Sequence, residues 1–146
     1  VSVMIEPVTG DTGAFVSEVL ETLDEAARAL GKPFEEDGVN LRASDGDGGF
    51  LGGLNAETLQ GWLYVKFLAV SQQARSLGVG RKLIEEAEAE ARRRGLAGVY
   101  VDTFDFQAPG FYVKCGYAEI GRLPTVGGRP QRIWFSKNFD ATETDQ

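Results

Sequence analysis

The stretch Trp62-Leu-Tyr-Val-Lys-Phe-Leu-Ala-Val70, continued by Ser71-Gln-Gln-Ala-Arg-Ser-Leu-Gly-Val-Gly-Arg-Lys-Leu-Ile84, decides how the rest of the chain is read. Its first nine residues are mostly apolar, aromatic or β-branched, the composition of a buried strand. A polar loop follows, and Gly78 and Gly80 then open an amphipathic helix. Glycines at that point let the backbone turn tightly and let another group come close to it. The first amides of a helix have no internal acceptor, so they point outward and, with the helix dipole, hold an anion. From Thr58 to Ile84 there is no Asp or Glu, whereas an even spread of the chain's 22 acids would put about four there. The same span carries Lys66, Arg75, Arg81 and Lys82. Burial explains the missing acids in the strand but not in the loop. The pattern reads as a seat for a phosphate-bearing ligand on Arg75 to Lys82.

The helix after the loop is expected over Gly80–Arg94. Val79, Leu83, Ile84, Ala87 and Ala91 recur on one face. Glu88 with Arg92 and Glu90 with Arg94 are four-residue pairs, and Gly95 is a C-terminal cap. Arg81 and Lys82 occupy a first turn where the dipole favours acids, a violation that a bound anion would remove. Val99 to Thr103 is the next strand, and strand, helix, strand at this spacing predicts a parallel crossover. A short helix over Ala108–Cys115 has Pro109 in its first turn. Strands over Tyr117–Leu123 and Arg132–Phe139 close the chain, with Ala141–Gln146 as a polar tail expected to be disordered.

Upstream of the opening stretch, Val39–Ala43 and Phe50–Asn55 form a hairpin across Ser44-Asp-Gly-Asp-Gly-Gly49. Ala56–Gly61 turns the chain into Trp62–Val70, the third strand of an antiparallel meander. Gly52 and Gly53 signal a bulge or a close backbone approach. Asp11–Leu30 is a helix, capped by Asp11 or Thr12, with Val16, Val19, Leu20, Leu23, Ala27 and Leu30 on one face. Met4–Pro7 is a short strand. One domain over residues 1–140 is expected, with 141–146 as its tail, and there is no internal repeat.

Composition removes several chemistries. The 146 residues contain no histidine and one cysteine, Cys115. Histidine bases, His-bearing triads, His-rich metal sites and internal disulfides are thereby excluded, and with one cysteine neither a structural zinc site nor any other metal is expected. A net charge of −7 disfavours nucleic acid as a partner. No run spans a bilayer and the first residues do not read as a signal peptide, so a cytoplasmic protein without a membrane partner is expected. Cys115 reads as buried filler more readily than as a nucleophile.

Three phosphate-binding patterns compete for the glycine loop. A Walker loop fails because Arg81-Lys82-Leu83 follows Gly80. A dinucleotide fingerprint has two of its glycines but Leu83 at the third, although Asp102 stands where a ribose-binding acid would. Arg75-Ser-Leu-Gly78-Val-Gly80 resembles, without a mismatch, the Arg/Gln-x-x-Gly-x-Gly/Ala signature of the GNAT family of acetyl-CoA-dependent N-acetyltransferases. Ala108-Pro-Gly-Phe-Tyr112-Val-Lys-Cys-Gly116-Tyr117 resembles a second segment of that family. Asp102-Thr-Phe-Asp-Phe-Gln-Ala-Pro109 looks like a stretch of its small bacterial subgroup. The likeness spans Val39 to Phe139.

The resemblance implies an α/β fold with a mixed, mostly antiparallel central sheet, flanking helices and a splayed parallel pair, the family's fourth and fifth strands. It implies that Leu68, Ala69 and Val70 pair with pantetheine. It implies that Arg75, Leu77, Gly78, Val79, Gly80, Arg81 and Lys82 hold the pyrophosphate of acetyl-CoA. An amide near Leu68 or Ala69 would polarise the thioester carbonyl. Tyr112 would protonate the departing thiolate. The acceptor is expected to be a primary amine, on a small cationic molecule such as a polyamine or an aminoglycoside-like compound, or on a lysine side chain. Trp62, Tyr64, Phe104 and Phe106 are candidates for its pocket. The base is open among Glu57, Asp102, Asp105 and water, and a homodimer is open as well. The alternatives are a non-catalytic CoA-binding module of the same fold and a nicotinamide-dinucleotide binder.

Overall fold

The structure is a computed structural model that describes residues 2–35, 37–107 and 109–140. Two compact units divide it, residues 1–35 and 36–146. The first contains α1 (Gly13–Ala29). The Asp11 carboxylate accepts the Gly13 amide at 2.9 Å, so Asp11 and not Thr12 supplies the side-chain cap. Gly31, at φ +71°, ends the helix as its sequence anticipates. The short strand expected over Met4–Pro7 is not formed. A strand exists through its ladder, and four residues ending in proline bring few donors to one.

The second unit is a six-stranded sheet with helices. Its elements are β1 (Gly38–Ser44), β2 (Phe50–Leu59), β3 (Trp62–Val70), a 3₁₀ turn (Gln72–Ala74), α2 (Val79–Arg93), β4 (Gly98–Phe104), α3 (Pro109–Lys114), β5 (Ala118–Arg122) and β6 (Arg132–Asn138). The strand order is β1-β2-β3-β4-β6-β5, with β3 and β4 parallel and every other pair antiparallel. This is the mixed, mostly antiparallel sheet anticipated above, and it excludes the doubly wound sheet of a dinucleotide binder. The tail 141–146 and Ala108 lie outside the described residues.

The final strands do not add in chain order. β6 carries the buried Ile133 and Phe135, whereas β5 is five residues long and mostly exposed. The more apolar strand takes the interior position, and the short one takes the edge. β2 also runs on to Leu59, past the turn expected at Ala56, because Ala56 and Thr58 alternate into the core. Gly52 answers a close approach: a Cβ there would lie 2.8 Å from the Ala69 carbonyl and 3.1 Å from Val79 Cγ1.

The core lies between the sheet and α2. Val79, Leu83, Ile84, Ala87 and Ala91 are all buried against Leu63, Val65, Val99 and Val101. Glu88 shares that face and does not pair with Arg92. Its carboxylate accepts Tyr117 Oη at 2.8 Å and Lys137 Nζ at 2.9 Å. A buried carboxylate requires such donors, and both come from distant segments. Arg92 lies instead over the Phe139 ring, 4.0 Å from its centroid. Glu90 pairs with Arg94 at 3.0 Å, as its spacing predicts.

Candidate active site

The site begins with a bulge. β2 and β3 pair in step from Leu59↔Trp62 to Ala56↔Val65, and then Asn55 faces Phe67. Lys66 therefore has no partner on β2. The extra residue also shifts the phase of β3, so Leu63 and Val65 face the core before it, and Leu68 and Val70 pack there after it. On the other side, parallel pairing with β4 stops at Val65↔Val101. Beyond that point the two strands separate, and the backbone of 66–70 lacks a ladder toward β4. Unpaired strand backbone is a template for an added extended chain.

The opening is a cleft of about 1120 Å³. It is lined by Lys66 to Val70 of β3, by Arg75, Gly78, Gly80 and Arg81, by Val101 to Phe104 of β4, and by Phe106, Gln107, Phe111 and Tyr112. Of the residues expected to hold a cofactor, Leu68, Ala69, Val70, Arg75, Gly78, Gly80 and Arg81 meet here. Leu77 is exposed and outside the lining, Val79 turns its side chain into the core, and Lys82 does not reach the cleft.

The two glycines do different work. Gly78 is the residue before α2 and has φ +73°, a left-handed conformation with open space around it. Gly80 lies within the first turn, where a Cβ would be 3.3 Å from Phe111 Cζ and 3.5 Å from Val70 Cγ2. One sets the turn, and the other lets α2 close on β3 and α3. No side chain caps the helix and no acid stands in its first turn, so its first amides are left as donors. Ser71 Oγ, at the end of β3, is buried and makes no hydrogen bond among the described residues. Unpaired strand backbone, free helix amides and two arginines form a donor set suited to an extended ligand ending in phosphates, and the residues fit pantetheine and pyrophosphate.

Tyr112 comes from α3 and is buried, with its ring stacked on Phe135 at 5.8 Å and edge-on to Phe111 and Tyr117. Its hydroxyl makes no hydrogen bond among the described residues. Burial, with smaller contributions from Cys115 and Asp102, pushes its pKa up to about 12. The phenol therefore stays protonated and can donate. Cys115 is buried, and burial pushes its thiol up, which leaves little thiolate to act as a nucleophile.

The candidate bases are not equivalent. Asp102 lines the cleft where β3 and β4 part, but Arg132 holds it at 2.7 Å and Tyr64 Oη donates to it at 2.6 Å. That hydrogen bond, followed by burial, raises the Tyr64 pKa to about 12. The network was invisible in the sequence, since its members are 38 and 30 residues apart. Glu57 faces Tyr64 across the β2–β3 ladder and sits 3.7 Å from Lys66. Asp105 does not line the cleft. Among the expected pocket aromatics, Phe104 and Phe106 line the cleft, whereas Trp62 and Tyr64 pack with Tyr100 away from it. Phe67 also lines it, and the phase shift at Lys66 is what brings it there. Among the described residues, no group of three His, Cys, Asp or Glu is placed to hold a metal ion, and no helix is long and apolar enough to cross a membrane.

Residues 16–117 match the family model described as Acetyltransferase (GNAT) family. Acetyltransferase Atu2258 of Agrobacterium fabrum is 37% identical over 69% of this chain and 74% of its own. Blasticidin-S acetyltransferase of Streptomyces morookaense is 45% identical over 53% and 57%. The crystal structure of an acetyltransferase from Bacillus cereus covers 93% of this chain and 97% of its own, at 26% identity and a TM-score of 0.78.

Proposed function

We propose that this chain, which belongs to the GNAT family of acetyltransferases and uses acetyl-CoA, transfers the acetyl group to a primary amine by direct attack on the thioester. The observation that carries the reading is the parting of β3 from β4 directly beside the uncapped start of α2. The cosubstrate supplies an activated acetyl group. The backbone of Leu68, Ala69 and Val70 holds the pantetheine arm, and a nearby amide polarises the acetyl carbonyl. Arg75 and the backbone from Leu77 to Lys82 hold the pyrophosphate, with Arg81 adding charge at the helix start. Tyr112 gives its proton to the departing sulfur.

Asp102, which lines the cleft, is held by Arg132, Glu57 sits 3.7 Å from Lys66, and Asp105 does not line the cleft, so we assign the amine's proton to water and require the amine to arrive neutral. Positioning two substrates in one cleft supplies much of the acceleration. Residues 1–140 act as one domain in this proposal, which the family match from 16 to 117 supports because it runs across both compact units. The protein is assigned to the cytoplasm. Relatives named for blasticidin-S and for IAA differ in acceptor, so family membership does not choose one.

Release of the CoA thiol in the presence of acetyl-CoA and a panel of primary amines tests the reading. Turnover with at least one amine is expected. The engaged state of Asp102 and Glu57 favours one rival, a module that binds CoA without catalysis. Thermal stabilisation by acetyl-CoA with no turnover on any amine would establish that rival.

A further inference from the structure

The cleft is lined from both faces of the sheet, and the two linings differ in chemistry. On the face that bears α2 and α3 lie Arg75, Gly78, Arg81 and Tyr112, the groups given to acetyl-CoA above. Along β4, Val99, Val101 and Thr103 are buried toward those helices, so Tyr100, Asp102 and Phe104 point the other way. Along β3 beyond the bulge, Leu68 packs on the core and Phe67 points the other way. The second lining therefore presents Phe67 from β3, Phe104 from β4 and Phe106 from the loop after it.

Charge at this second lining cancels. Among the described residues that line the cleft Asp102 is the one carboxylate, and Arg132 holds it at 2.7 Å. Among the described residues no unpaired carboxylate lines the cleft to gather a polycation, although the whole chain is acidic. What remains is aromatic surface: Phe67, Phe104 and Phe106 are 68, 38 and 69% exposed. Phe104 and Phe106 stack at 6.2 Å with 26° between their planes. Their loop is held in place. Gln107 Oε1 accepts the Phe104 amide at 2.9 Å and the Thr103 hydroxyl at 3.0 Å, and the Asp105 amide donates to the Gln131 carbonyl at 2.9 Å. Exposed rings held in a fixed loop are preorganised for a ligand that stacks on them.

We infer that the acceptor amine is carried on an aromatic or heteroaromatic ring, received by Phe67, Phe104 and Phe106, and not on an aliphatic polycation. This rests on the acetyltransferase reading above. It narrows the cationic acceptors considered from the sequence, because the acidity of the chain does not extend to this opening.

The test compares kcat/KM for phenylethylamine, butylamine and spermidine at saturating acetyl-CoA, read by CoA thiol release. Stacking predicts phenylethylamine to exceed butylamine by about tenfold, with spermidine lowest. Phe67→Ala and Phe106→Ala should each raise KM for phenylethylamine by about fivefold and leave KM for acetyl-CoA unchanged. Phe106→Tyr should restore it. Both phenylalanines are exposed, so the variants should fold. Turnover of spermidine or butylamine equal to or better than that of phenylethylamine overturns the inference and leaves the acetyltransferase reading standing. So does a rise in KM for acetyl-CoA in place of the amine. Binding of acetyl-CoA without turnover of any amine overturns the catalytic reading and this inference with it.

Discussion

Replacing Tyr112 by Phe removes one hydroxyl from a residue that lines the cleft and little else. The ring keeps its stack on Phe135 at 5.8 Å and its edge contacts with Phe111 and Tyr117. The hydroxyl has no hydrogen-bond partner among the described residues, so its loss leaves no buried group unsatisfied. The stability change should therefore stay within about 0.5 kcal/mol, the range of a substitution that breaks nothing. Catalysis should respond quite differently. A positioned acid is worth roughly 10²–10⁴ in rate, so kcat should fall by at least about 100-fold, or about 2.7 kcal/mol of barrier. KM for acetyl-CoA should not move. The wild-type rate should also show no alkaline loss near pH 10, because burial holds the Tyr112 pKa up at about 12 and the acid stays protonated there. Steady-state CoA release across pH, beside calorimetric melting of both proteins, reads all of these. Unchanged kcat with an unchanged melting midpoint would refute the acid assignment outright. A large loss of stability would instead refute the claim that the hydroxyl is unpartnered.

The glycines should separate by mechanism. Gly78→Ala meets no atoms and costs only the left-handed backbone, about 1 kcal/mol, whereas Gly52→Ala drives its Cβ toward the Ala69 carbonyl and should lower the melting midpoint further; equal midpoints would contradict this. Glu88→Ala leaves buried Tyr117 and half-buried Lys137 without their shared carboxylate and should cost about 3 kcal/mol in urea unfolding, while Glu90→Ala, whose ion pairs are screened by solvent, should shift the urea midpoint far less. All four tyrosines have raised pKa values, Tyr64 chiefly through its bond to Asp102 and the other three chiefly through burial. The folded state therefore binds their protons more tightly than the unfolded state. The resulting stability is complete below pH 10 and is lost as pH rises from 10 through about 12; tyrosinate absorbance appearing in the native protein below pH 10 would contradict it.

Local and periodic features were legible in the sequence because their causes are local. The apolar face of α2 follows from 3.6-residue spacing, and its five predicted members are all buried, with Glu88 the sixth buried residue of the helix. The loop's lack of acids and its two glycines suggested an anion seat without reference to any other part of the chain, and both glycines line the cleft. The parallel crossover from β3 to β4 followed from the spacing of strand, helix and strand. Tyr112 was placed by a motif, and its burial agrees with an aromatic on a short helix, so the sequence could name it but could not show its environment.

What only the tertiary structure decided involves partners far apart in the chain, or a backbone event without a residue signature. Glu88 was matched to Arg92 by helical spacing, yet burial sent it to Lys137, 49 residues on, because a carboxylate out of water takes the donors that surround it. Asp102 could not be weighed as a base until Arg132 and Tyr64 were seen to hold it. The bulge at Lys66 has no marker such as glycine or proline, but that one unpaired residue reverses the alternation of β3, turns Phe67 into the cleft and lies beside the last parallel pair. The sequence by itself pointed to a seat for a phosphate-bearing ligand at the start of α2, because the lack of acids and the glycine spacing are local features, and the folded helix start carries no side-chain cap and no acid in its first turn. The tertiary structure decided what lines the other side of the cleft, because a strand's facing depends on register, and register is set by neighbours that only folding brings together.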